Sequence, residues 1–181
     1  MRIVGGKYRH RLIIYPDDAS HTRPTKDRIR EAIFSAVGDI SNARVLDLYA
    51  GSGAMGIEAL SRGASHATFV DISSQAIKTI KDNVTNLKIP NDEYEIIKDY
   101  DVKALERFKN NQQCFDLIIL DPPYEEGEYE KIVALMDNYH LISDKAIIVL
   151  EANRQIVLNN IAYQRNKEYH YGEIMVFIYW R

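Results

Sequence analysis

Short apolar runs recur along the middle of this chain, and stretches with a 3.6-residue apolar period fall between them. The runs predict strands near 44–48, 66–71, 94–98, 115–120 and 146–150, and the periodic stretches predict helices near 54–62, 73–87, 101–110 and 128–139. Phe115-Asp116-Leu117-Ile118-Ile119-Leu120 is short, continuous and rich in β-branched residues, as a strand covered on both faces of a parallel sheet is. Strand alternating with helix predicts an α/β fold with a mostly parallel sheet and helices on both faces. The end of the chain breaks the alternation. Residues 161–170 and 173–180 read as two strands joined tightly at Tyr171-Gly172, an antiparallel hairpin closing one edge. At the other end, Arg2–Val4 and Arg11–Ile14 read as the strands of a small hairpin around Gly5-Gly6. A helix then starts at Arg23-Pro24-Thr25-Lys26-Asp27, with Thr25 as its cap and Asp27 in its first turn. Ile29, Ala32, Ile33, Ala36 and Val37 form its apolar stripe, Arg28 and Arg30 fall mostly off it, and Gly38 ends it.

With no internal repeat, low-complexity tract or long linker, the 181 residues divide into a basic extension, 1–24, and one domain, 25–181. Hydrophobic residues make up 46% and charged ones 27%, the balance of a soluble globular protein. No apolar signal core opens the chain and no apolar run reaches membrane-spanning length. The single cysteine, Cys114, excludes an internal disulfide and reads as a small packing residue, so a cytoplasmic monomer is expected. The net charge of −3 is uneven: residues 1–30 carry +5, leaving −8 for the rest. That asymmetry points to a polyanion-binding patch, with a merely solvated basic segment as the alternative. Arg2, Lys7, Arg9, Arg11, Arg23, Lys26 and Arg28 are candidate partners for RNA phosphates, and Tyr8 for a base.

Two prolines straight after the 115–120 run cannot continue a sheet ladder. The chain therefore turns at the strand's carboxyl end, where open α/β sheets bind ligands. The turn Asp121-Pro122-Pro123-Tyr124 offers a carboxylate, a carbonyl held by a proline ring and an aromatic face. Together they suit a planar base bearing an exocyclic amine. Such an amine is conjugated with its ring and a poor nucleophile, so acceptors on its two N–H bonds must orient it and stabilise the positive charge of attack. Asp121 and the Pro122 carbonyl supply those acceptors, and Tyr124 a stacking face worth about 1–3 kcal/mol. The plainer reading is an Asp-initiated turn with Pro122 and Pro123 for stiffness and Tyr124 as a buried side chain.

Asp47-Leu48-Tyr49-Ala50-Gly51-Ser52-Gly53-Ala54-Met55-Gly56 follows the first sheet strand and opens a helix. Gly51, Gly53 and Gly56 fit G-x-G-x-x-G, which suggests a dinucleotide site. Asp47 argues the other way, because a carboxylate there repels a pyrophosphate and attracts an ammonium or sulfonium. S-adenosylmethionine carries both cations, and a carboxylate suited to the loop amides. Asp71 closes the second strand and can accept from both ribose hydroxyls, a role common to NAD and S-adenosylmethionine sites. Ile72 could pack on the adenine, and Asp99, with Tyr100 beside it, could accept from the adenine amine; a helix cap is the other reading of Asp99.

D-L-Y-A-G-S-G-A-M-G at 47–56, V-D-I at 70–72 and L-D-P-P-Y at 120–124 resemble class I S-adenosylmethionine-dependent methyltransferases of exocyclic amines. G-G-K-Y-R-H-R-L at 5–12 and T-R-P-T-K-D-R-I-R-E-A-I-F at 22–34 narrow the resemblance to the RsmD family, which methylates N2 of a guanine in small-subunit (16S) ribosomal RNA. The resemblance spans the chain. It implies the Rossmann-like, seven-stranded methyltransferase sheet, and ribosomal RNA in an assembled or partly assembled small subunit as substrate. Rival readings are an NAD-dependent oxidoreductase, which leaves Asp47 and D-P-P-Y without a role, an N6-adenine methyltransferase, and a non-catalytic RNA chaperone. The five histidines lack ligand spacing, so no metal is expected, and the absence of G-K-[ST] rejects a P-loop.

Overall fold

Along β4 (Phe115–Leu120) the side chains alternate between two apolar layers, Leu117 and Ile119 on one side, Ile118 and Leu120 on the other. A strand of this kind needs cover on both faces, and the computed structural model, which describes residues 1–15, 23–123 and 128–181, supplies it. β1 (Arg44–Leu48) lies between β4 and β2 (His66–Asp71), parallel to both. β3 (Tyr94–Lys98) extends the parallel sheet beyond β2, and β5 (Ile142–Ala152) beyond β4. β7 (Ile174–Trp180) pairs antiparallel with β5, and β6 (Arg165–Tyr171) pairs antiparallel with β7. The order is therefore β3-β2-β1-β4-β5-β7-β6, a seven-stranded, mostly parallel sheet of Rossmann type. From β1 the chain builds outward through β2 and β3, then returns to β4 on β1's other side. The crevice beyond the carboxyl ends of β1 and β4 is thus the topological switch point.

Three helices cover one face of the sheet, α1 (Arg23–Val37), α2 (Ala54–Ser61) and α3 (Ser74–Leu87), whose Phe34, Ile57 and Ile80 share an apolar cluster with Phe69 of β2. α4 (Asp101–Asn110) and α5 (Tyr129–Asn138) cover the other face through Phe108 and Val133. No helix among the described residues is long and apolar enough to cross a membrane.

The ends of the chain depart from expectation. The N-terminal hairpin reduces to one antiparallel bridge, Arg2 with Leu12, supported by Ile3 N–H to Arg11 carbonyl at 3.0 Å and Ile13 N–H to Met1 carbonyl at 3.1 Å. Its turn is held by α2 instead of by strand pairing. Gly6 has φ +73° and lies so near the Ser61 carbonyl that a Cβ there would come within 1.7 Å of the oxygen. α1 begins at Arg23, which places Thr25 inside the first turn and not at the cap. Arg30 is buried, contrary to its place off the stripe, because it faces the carboxylate of Glu58. At the other end, β6 begins at Arg165 and the hairpin turns at Gly172-Glu173, one residue later than expected. Residues 161–164 are not strand; Ile156, Leu158 and Ile161 anchor an irregular segment into the second apolar layer.

Glu58 ties the N-terminal arm down. It is fully buried and accepts from the Val4 and Gly5 amides at 2.9 and 2.8 Å, from Arg30 Nε at 3.2 Å and from Arg62 Nε at 2.8 Å. Arg30 also donates to the Arg2 carbonyl and to Asp27. Further along, Asn83 of α3 pairs with both the N–H and the carbonyl of Ile14 and donates to the Ser52 carbonyl at 2.9 Å, so one buried amide holds both the arm and the glycine loop.

Candidate functional site

Four neighbouring strands end in a carboxylate: Asp47 within β1, Asp71 closing β2, Asp121 after β4 and Glu151 near the end of β5. All four line one cavity of about 570 Å³ at the switch point, a volume suited to a small-molecule ligand. The sheet register explains their convergence. Leu48 pairs with Leu120 and Leu120 with Leu150, so the residues that follow in each strand emerge side by side at one edge.

On the β1–β2 side the glycine loop is built by internal hydrogen bonds. The Tyr49 and Ala50 amides both donate to the Val70 carbonyl, at 3.0 and 2.9 Å. Asp71 accepts from Gly51 N–H with one oxygen and from Ser73 N–H with the other, each at 2.8 Å. Asp47 accepts from Gly56 N–H at 2.9 Å. Three glycine amides are thereby engaged within the protein, since Gly53 donates to the Ala50 carbonyl at 2.7 Å. The glycines divide their work. Gly51, at φ +55°, lines the cavity, and a Cβ there would meet nothing within 4 Å, so open space lies beside it. Gly53 and Gly56 do not line it. A Cβ on Gly56 would come within 2.4 Å of the Phe69 ring, so this glycine lets α2 sit close on β2.

Burial, with Asp71 nearby, pushes the Asp47 carboxyl up to about 7, against the opposing pull of the Gly56 amide. A carboxylate in that position gains most from a cation. Tyr49 holds φ +71° and donates its hydroxyl to Asp101 at 2.6 Å, fixing the loop to the start of α4. Ile72 and Tyr100, 47% and 59% exposed, form an apolar rim, and Asp99 lies beside them on the wall. Tyr100, not Asp99, stands at the cap position of α4.

On the β4–β5 side Asp121, Pro122 and Pro123 line the same cavity; Tyr124 lies outside the described residues. Asp121 is exposed, but to the cavity. Surrounding protein, then Glu151 and Asp47, raise its carboxyl well above the ordinary range, while Lys26 pulls it down. Burial likewise raises Glu151, again opposed by Lys26. The Tyr129 hydroxyl donates to the Glu151 carbonyl at 2.6 Å, and Lys26 Nζ lies 2.6 Å from the Tyr15 hydroxyl.

Glu151 is not among the residues expected from the sequence, although it shares the grammar of Asp47 and Asp121, an acid at the end of a buried apolar run. Lys26, expected on the RNA-facing surface, lines the cavity instead. Arg2, Lys7, Tyr8, Arg9, Arg11 and Arg28 lie outside the cavity lining, and the side chain of Arg23 lies outside the described residues. Of the outlying group, Lys7 pairs with Glu93 at 3.0 Å, Arg11 donates to the Asn86 carbonyl at 3.1 Å and Arg2 to the His10 carbonyl at 3.3 Å. Arg9 and Arg28 are exposed.

The family model described as Conserved hypothetical protein 95 matches residues 1–180. A Bacillus subtilis protein named as an rRNA methyltransferase, YlbH, is 36% identical over 159 residues, 87% of this chain and 85% of the relative. Ribosomal RNA small subunit methyltransferase D of Escherichia coli is 32% identical over 153 residues, 84% of this chain and 74% of that protein. Among solved structures, the Escherichia coli protein yhhF, named as a methyltransferase, superposes with a TM-score of 0.81 at 28% identity, over 100% of this chain and 97% of that one. The Thermus thermophilus 16S rRNA N2 G1207 methyltransferase, solved with AdoMet and guanosine, shares the fold at a TM-score of 0.69 and 16% identity, over 91% of this chain and 45% of that one.

Proposed function

This chain belongs to the family described as Conserved hypothetical protein 95, the RsmD family, and from that premise we propose that it moves a methyl group from S-adenosylmethionine to N2 of a guanine in small-subunit ribosomal RNA. One observation carries the reading: a cation-seeking carboxylate and a hydroxyl-accepting one, Asp47 and Asp71, share a cavity with Asp121-Pro122 on the neighbouring strand.

The residues present fit the cofactor. Gly51 leaves open space where a side chain would stand, Asp47 is a buried acid waiting for positive charge, and Asp71 retains lone pairs for ribose hydroxyls beside the Ile72 and Tyr100 rim. Because the Gly51, Gly53 and Gly56 amides are engaged, the first turn of α2, where Ala54 and Met55 line the cavity, would hold the carboxylate of the ligand.

When bound, S-adenosylmethionine supplies an electrophilic methyl carbon; the amine lone pair forms the N–C bond as the C–S bond breaks, and the bonding electrons leave with sulfur as S-adenosylhomocysteine. Asp121 and the Pro122 carbonyl each accept from one N–H of the amine, which points its lone pair away from them. The ionised Asp121 carboxylate and the Pro122 carbonyl dipole favour the cationic nitrogen formed on attack, and Asp121 or solvent takes the surplus proton. Tyr124 stacks on the base. Holding both reactants in line supplies the rest of the rate enhancement, without a covalent enzyme intermediate. The exposed cations of the arm contact the RNA backbone, and an assembled or partly assembled small subunit, met by a monomer in the cytoplasm, supplies specificity through its shape.

Transfer of tritiated methyl to ribosomal RNA and to small subunits from cells lacking the protein, followed by nucleoside analysis, tests the reading. N2-methylguanosine is expected. N6-methyladenosine would overturn the substrate, and no labelled nucleoside in any fraction would overturn the activity.

A further inference from the structure

Glu151 has no part in the chemistry described so far, yet it occupies the wall next to Asp121. The β4–β5 register pairs Leu120 with Leu150, so positions 121 and 151 are the next pair across two parallel strands, with side chains on the same side of the sheet. Both line the cavity, and both feel the charge of Lys26, which reaches the cavity from α1. The backbone at Glu151 is fixed by the Tyr129 hydroxyl on its carbonyl and by β7, where Val176 is its partner. Two acceptors on adjacent strands, with one cation to keep the pair partly ionised, can hold two adjacent donors on a ligand.

Guanine has such an edge. Its N2 amine stands beside a ring N1–H, both donors. Adenine carries a lone pair on the ring nitrogen next to its amine, which a carboxylate would repel. Building on the methyl-transfer reading, we infer that Glu151 accepts a hydrogen bond from N1–H of the target guanine while Asp121 and the Pro122 carbonyl hold its amine. Glu151 is thus the residue that selects guanine over adenine. Asp47 and Asp71 line the same cavity from β1 and β2 and are assigned to the other ligand.

A base analogue separates this role from a structural one. 2-Aminopurine keeps the 2-amine but has no proton on N1. The methylated guanine, once located, is replaced by 2-aminopurine in an otherwise identical ribosomal RNA, and kcat/KM is measured on both RNAs for the wild type and for Glu151→Gln. Cofactor affinity by calorimetry confirms that the variant is folded. The wild type should prefer guanine by roughly 10–100-fold, the worth of a hydrogen bond to a charged group, and Glu151→Gln should erase most of that preference by losing activity on guanine alone. Glu151→Asp should recover part of it. An equal loss on both RNAs, or no preference in the wild type, would overturn the role of Glu151 and leave the methyl-transfer reading standing. Failure of the wild type to methylate the guanine RNA would overturn both.

Discussion

The Asp47 carboxyl links the protonation of the cavity to the binding of a cation. Its value is about 7 in the folded protein against an ordinary 3.8, so between those values the folded chain binds a proton that the unfolded chain releases. The contribution of Asp47 to stability therefore falls as pH rises from about 4 to about 7 and levels off above, and the raised carboxyls of Asp121 and Glu151 act in the same direction. Asp47→Asn should remove its share of that slope in urea titrations at several pH values. The same substitution should weaken S-adenosylmethionine binding by roughly 10–100-fold, the loss of a charge-assisted contact. Near pH 7 the wild type should release protons on binding the cation, seen as a dependence of calorimetric heat on the buffer's ionisation enthalpy. Asp121→Asn behaves differently: one acceptor becomes partly a donor, so methyl transfer should fall by about 100-fold or more, as when one preorganised charge-stabilising group is removed, while cofactor affinity holds. Asp47, Asp71 and Asp121 were legible in the sequence because each lies at or beside the end of a strand recognisable by its apolar run. Lys26 was not, because its helix comes from a basic segment whose composition reads as surface; only the docking of α1 beside the sheet brings it to the cavity.

At the scale of elements, the arm is held by one acid on a neighbouring helix. Glu58 accepts four hydrogen bonds with no access to solvent, two of them from the guanidinium groups of Arg30 and Arg62. Removing one member of such a buried ionic cluster leaves the others unpaired, so Glu58→Ala should cost about 3–5 kcal/mol in chemical denaturation. Loss of the arm should appear as early amide exchange at Val4 and Gly5, whose N–H groups Glu58 holds. No local pattern announces this device. The contacts join residues 53 and 54 positions apart along the chain, beyond the reach of any periodicity. The sheet was legible for the opposite reason: strands and helices are set by runs of a few residues, and one rule of handedness orders them. Beside the β5–β7 pair even an irregular apolar segment such as 156–161 finds a buried place, and by pattern alone its end and the residues after it, 161–164, read as strand.

Over the whole molecule, the basic excess of residues 1–30 is partly spent on the fold. Arg30 belongs to Glu58; Lys7 pairs with Glu93, and Arg11 and Arg2 reach backbone carbonyls, although these three remain exposed, as Arg9 and Arg28 do. Arg9→Ala and Arg28→Ala should therefore weaken ribosomal RNA binding without unfolding the protein. Each should lower the slope of log affinity against log salt by roughly 0.7–0.9 if that side chain meets a phosphate, which filter binding at several salt concentrations measures. The seventh strand carries a consequence of another kind. β7 sits between β5 and β6, yet it is the last strand in the order of synthesis. Until its residues leave the ribosome, β5 presents a bare row of amides and carbonyls, and β6 has nothing to lean on. A nascent chain halted before Ile174 is therefore an open template for wrong partners, and the sheet closes only once β7 has emerged between its two neighbours.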